Sequence, residues 1–137
     1  MARSAAGDDL GKLILRLALG VFILFHGVAK LMSGPGMIAG IVTKAGLPEY
    51  LAYGVYAGEV IAPLLVIFGF WTRLGALVIA INMIVAVWLV HMGDLTAISK
   101  TGGWALELQG MFLFGARAVA LLGAGRFSVG GAAGRWN

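Results

Sequence analysis

Four apolar runs, each about 20 residues long, limit what this chain can become, because a helix of that length crosses the roughly 30 Å hydrocarbon layer of a bilayer. They lie at about 10–32, 50–70, 74–92 and 104–122. A soluble domain of this size would alternate polar and apolar faces and carry about a quarter charged residues. Here 61% of the residues are hydrophobic and 12% are charged. The expected fold class is all-α: an integral membrane four-helix bundle over 10–123, with short tails at 1–9 and 124–137.

The first run is longer than the roughly 7–15 residue apolar region of a signal peptide, lacks a small-x-small site directly after it, and is followed by three more runs. It reads as a retained helix. Between it and the second run, Ser33-Gly34-Pro35-Gly36 and Gly46-Leu47-Pro48 bracket a stretch, Met37 to Val42, too short to span and suited to the interface or to folding back on the bundle. Only Trp71, Thr72 and Arg73 join the second and third runs, which makes those helices antiparallel neighbours.

Four spans put both termini on one side. Arg3, Lys12, Arg73, Arg126 and Arg135 then oppose Lys30, Lys44 and Lys100, and this excess favours cytoplasmic termini. The net charge of +4 comes from residues scattered mostly at the ends of apolar runs, so it reads as a topology signal and points to no nucleic-acid partner. The chain has no cysteine, which excludes disulfides, thiol chemistry and thiolate-bound metal. Any redox role must therefore borrow its carrier. Nucleophile elbows, zinc-protease helices and nucleotide-binding loops are absent from the sequence.

The informative residues are the polar ones inside the runs, because ionisable groups in lipid are costly and usually face the interior, pair, or line a path. The first run holds Arg16, His26 and Lys30, the second Glu59, the third Asn82 and His91, and the fourth Glu107, Gln109 and Arg117. Arg16, Ile23 and Lys30 fall within roughly 40° on a helix, so that run has one polar, small-residue face. Counting rise from the outer ends puts His26 about 9 Å deep, Lys30 about 3 Å, Glu59 about 14 Å and Glu107 about 5 Å, with His91 near the boundary. His26, Lys30, Glu59, His91 and Glu107 therefore form the expected outer-half pocket, for ligand binding or proton relay.

Arg16, Arg73, Asn82 and Arg117 are assigned structural or helix-pairing roles. Asn82 and His91 are nine residues apart and point to nearly opposite sides of an ideal helix, so His91 is placed toward the pocket and Asn82 toward an interhelical or oligomer contact.

Several readings stay open for this cluster. Glu59 paired with Lys30, His26 or Arg16 could simply fix helix register. A buried carboxylate beside a histidine also suits a quinone or phenolic head group, or a proton relay. A metal held by His26, Glu59, His91 and Glu107 has suitable ligand types but no tight motif, and no metal is assigned. Small residues such as Gly20, Gly27, Gly54 and Gly58 recur at spacings that let helices approach closely.

The motifs now in view are Leu15 to Gly20, Phe25 to Leu31 with its His-Gly-x-x-Lys element, Gly46-Leu47-Pro48, Gly58-Glu59 with Pro63, Gly69 to Ala76, His91, Glu107 and Gly123 to Ser128. Together they resemble the DoxX family of small bacterial four-helix membrane proteins over nearly the whole chain. The resemblance implies a membrane protein linked to quinone or thiosulfate redox reactions, oxidative-stress complexes and resistance to electrophiles. Without cysteine, a thiol relay in this member would need thiols from a partner.

The expectation is a redox-associated membrane subunit that binds a quinone-like or other small amphipathic ligand. It has no intrinsic cofactor, and its other partners are lipid and a redox protein or second copy. A non-catalytic scaffold is the alternative. A proton-coupled carrier ranks lower because no two-fold repeat is visible.

Overall fold

The computed structural model describes residues 2–137, with side chains from residue 6 onward. Among the described residues there are five principal helices: α1, Ala2–Ser33; α2, Gly36–Lys44; α3, Glu49–Phe68; α4, Thr72–Val90; and α5, Glu107–Leu122. The only β feature among the described residues is an isolated bridge between Ile98 and Trp104. Segment 2–9, expected as a tail, is helical and continues α1.

Among the described residues three helices are long and apolar enough to cross a membrane: Ala6–Ser33 within α1, Glu49–Phe68 and Thr72–Val90. They leave Phe22, Phe25, Phe68, Ile81 and Ile84 exposed, as a helix contacting lipid would. The fourth apolar run yields a 16-residue helix, shorter than the run itself. Its first residues are used otherwise: Ser99 donates to Gly103 O (2.7 Å), Ala105 to Ala97 O (3.0 Å), and the Trp104 indole N–H to Leu95 O (2.9 Å). This small turn consumes Trp104 to Leu106 before α5 begins.

The core is shared by four helices: Leu19 and Ile23 from α1, Ala62 and Val66 from α3, Ala76, Ile79, Ala80 and Met83 from α4, and Phe112, Ala116 and Val119 from α5. Lipid tails are as apolar as these side chains, so dispersion and close backbone approach hold the helices together more than water exclusion does. α2 ends in a Schellman turn at Gly46 (φ +77°), where Leu47 N–H bonds Val42 O and Gly46 N–H bonds Thr43 O. The turn returns the chain to Pro48, which starts α3.

At the other end of the bundle the C-terminal segment folds back. Val129 and Gly130 donate to Phe68 O and Gly69 O (3.0 Å each), and the Asn137 side chain accepts from Thr72 Oγ1 (3.1 Å). Arg73 fastens this segment and α5 together, donating to Asn137 O (3.0 Å), Ala120 O (3.0 Å) and Leu121 O (3.1 Å). Those last two are orphan carbonyls at a helix C-terminus, which a cation satisfies well.

Candidate functional site

α3 is not a uniform helix. It opens with a 3₁₀ turn over Glu49–Tyr53, passes through a π turn over Ala57–Ile61, and resumes as α-helix over Ala62–Phe68. Ala62 N–H bonds Ala57 O, five residues back. Next comes Pro63, which lacks the N–H that an α-helix would aim at Glu59 O. A helix that has already lost a bond there takes up an extra residue cheaply, and such π turns recur at functional positions. Glu59 sits in this one.

Its carboxylate gathers donors from two other helices. Lys30 Nζ of α1 lies 2.6 Å from Oε1 and 2.5 Å from Oε2, and Asn82 Nδ2 of α4 donates to Oε1 at 3.2 Å. Glu59 is 4% exposed, while the Lys30 side chain keeps 26% of its surface. A carboxylate so buried is tolerable only when paired and hydrogen-bonded, and this one is both. Two glycines permit the geometry. A Cβ on Gly27 would overlap the Glu59 carbonyl, and one on Gly58 would overlap the Asn82 side chain. Tyr56 adds a bond from its hydroxyl to Lys30 O (3.3 Å).

Beside this network lies a cavity of about 700 Å³. His26, Lys30, Glu59, Asn82, His91 and Gln109 are the polar residues that line it, while Met37, Ile38 and Ile41 of α2 and Phe112 of α5 are among its apolar residues. The His26 ring stands edge-on to Phe112 (5.8 Å, 76°) and has no hydrogen-bond partner among the described residues. His91 lies just past the end of α4, its Nδ1 3.0 Å from Asp94 Oδ2 and its Nε2 3.3 Å from Gln109 Nε2. With the Gln109 amide donating to Nε2, the proton of the neutral ring sits on Nδ1 and points at Asp94.

Asn82 and His91 therefore both line the cavity, contrary to the helical-wheel expectation. The wheel assumed ideal helix through residue 91, but His91 has left it (φ −121°, ψ 17°). Asn82 does make the interhelical bond expected of it, to the pocket's own carboxylate.

Glu107 is not among the residues lining the cavity. It is exposed at the first turn of α5, its carboxylate against Gly103, where an acid complements the helix N-terminus. Matching depth did not bring a matching face. Arg16 is buried elsewhere, donating to Val66 O (3.1 Å) and Phe127 O (2.5 Å), and Arg117 is exposed on α5. Among the described residues no group of three His, Asp or Glu could hold a metal ion, so the set His26, Glu59, His91 and Glu107 is not assembled.

Tyr56, Asp94 and Gln109 were not singled out for the pocket from sequence. Only Gln109, a polar residue in an apolar run, carried a signal.

The DoxX family model matches residues 11–92, which hold His26, Lys30, Glu59, Asn82 and His91. The chain belongs to the DoxX family. Among its relatives, "Putative oxidoreductase CatD" of Bacillus subtilis is 33% identical over 84 residues, covering 61% of this chain and 62% of CatD, less than two thirds of that protein. An uncharacterized protein of Haemophilus influenzae is 31% identical over 115 residues, 78% of this chain and 84% of the relative. No solved structure matches. DoxX proteins are membrane proteins, and the three long apolar helices fit insertion with lipid as their surroundings.

Proposed function

We propose that this DoxX protein is a four-span bundle of the bacterial cytoplasmic membrane with both termini inside, α5 completing its span with the turn before it. It serves as a redox-associated subunit that binds a quinone-like or other small amphipathic ligand in the cavity beside Glu59. The observation that carries this reading is a largely apolar cavity of about 700 Å³ lined by a small number of polar groups, the form ligand sites usually take.

These groups suit a neutral head group. Lys30 and Glu59 cancel each other's charge, so neither a free anion nor a cation finds a net countercharge. Lys30 has a third N–H beyond the two Glu59 contacts, and the His26 ring, without a partner among the described residues, can offer a hydrogen bond. A bound quinone would supply the electron carrier that a cysteine-free chain lacks. His26 and Lys30 would orient it, with the apolar walls excluding water. The word oxidoreductase in CatD's name supports the redox association, and the electrons would come from a partner protein.

Titration of the purified protein with decylubiquinone tests this. Binding should weaken by about tenfold in Glu59→Gln and in His26→Ala, the worth of one good hydrogen bond. Folded variants that bind like wild type would remove the pocket from the mechanism.

The scaffold reading draws support from one observation: every Glu59 oxygen already has a donor within the protein. On that reading the Glu59 variant loses stability or assembly while ligand binding stays absent in wild type and variant alike.

A further inference from the structure

A second cavity, of about 410 Å³, lies between α4 and α5. Ile84, Val87, Leu113 and Phe114 line it together with the indoles of Trp88 and Trp104. Apart from the indoles, its only polar side chain among the described residues is Gln109, whose amide nitrogen is directed to His91. The Trp104 N–H is likewise spent, on Leu95 O. Gly110 fixes the position of that indole, since even a Cβ there would lie 2.8 Å from Trp104 Cζ3. This groove has almost no hydrogen bond to offer, so what fits it is hydrocarbon.

The groove shares two lining residues with the polar cavity. Trp88 and Gln109 line both. We infer that the groove houses the aliphatic tail of the ligand whose neutral head lies beside Glu59, so that the site selects a single-tailed amphiphile rather than a free polar ring. The inference rests on the ligand reading above and specifies the class of ligand. A phospholipid fits less well: its charged phosphate would meet a Lys30–Glu59 pair with no net charge to offer. A chain passing Gln109 keeps its methylenes against Trp88 while its head reaches His26 and Lys30.

Ile84 and Val87 line the groove but not the polar cavity, and Ile84 is 56% exposed, so a larger side chain can be placed there without disturbing the core. The test compares the tailless ubiquinone head group with decylubiquinone on wild type, Ile84→Phe and Val87→Phe, with thermal unfolding of each variant as a check on folding. Filling the groove should weaken decylubiquinone binding about tenfold, the worth of roughly two buried methylenes, and leave binding of the tailless head unchanged.

Equal affinities of folded variants for decylubiquinone would overturn the tail assignment while leaving head-group binding intact. So would loss of co-purifying phospholipid, read by native mass spectrometry, with quinone binding unaltered. If neither probe binds wild type, the ligand reading itself fails and the tail assignment falls with it.

Discussion

Glu59 concentrates the energetic tension in this protein. Its carboxylate is nearly enclosed, and three hydrogen bonds from Lys30 and Asn82 offset its desolvation. Removing only the cation leaves that charge stranded. Lys30→Met should therefore cost about 3–5 kcal/mol, whereas Lys30→Met combined with Glu59→Leu should recover most of the loss, because both charges then leave together. Reversible unfolding in mixed micelles measures both. A single variant costing less than about 1 kcal/mol would mean that the pair behaves like an exposed ion pair. His26 differs in kind: no hydrogen bond among the described residues holds its ring, so His26→Ala should change stability little and ligand binding more.

The helices meet at glycines, and this is where α1 and α3 set the reach of Lys30. Gly27→Ala would press a methyl into the Glu59 carbonyl and force the two backbones apart, at a cost of about 1–3 kcal/mol or more. Gly11→Ala in the same helix meets nothing within 4 Å and should be neutral or stabilising by up to about 1 kcal/mol. Equal effects at both positions, measured by thermal shift, would contradict the close approach described here.

Much of this arrangement was legible in the amino-acid order. Apolar run length located the three long helices, the short link expected at Trp71-Thr72-Arg73 lies instead at Gly69-Phe70-Trp71 because Thr72 and Arg73 already belong to α4, and the cost of charge in lipid singled out Lys30 and Glu59. What could not be read were departures from ideal helix. A wheel drawn at constant pitch has no place for a π turn at Ala57–Ile61, for a helix that stops one residue before His91, or for one that starts at Glu107 instead of Trp104. In the structure Asn82 reaches the carboxylate, His91 lines the same cavity, and Glu107 is not among the residues lining it.

The chain has two unlike ends. One carries the cavity, the α2 segment and the turn before α5, and the other is fastened by Arg73 and by Arg16, whose guanidinium joins the end of α3 to Phe127 of the folded-back C-terminal segment. If the fastened end is cytoplasmic, a membrane-impermeant maleimide applied to spheroplasts should label Ser99→Cys and spare Arg126→Cys, in a background with no other thiol. The opposite labelling would invert the topology and place the cavity in the inner leaflet.

The most direct examination of the cavity is a density map of the protein in lipid nanodiscs with a bromine-substituted decylbenzoquinone. The bromine should appear beside His26, Lys30 and Asn82, with the tail running past Gln109 toward Ile84. A map in which the ligand lies only in the surrounding lipid, while side chains close the space next to an intact Lys30–Glu59 pair, would reduce that pair to a structural brace.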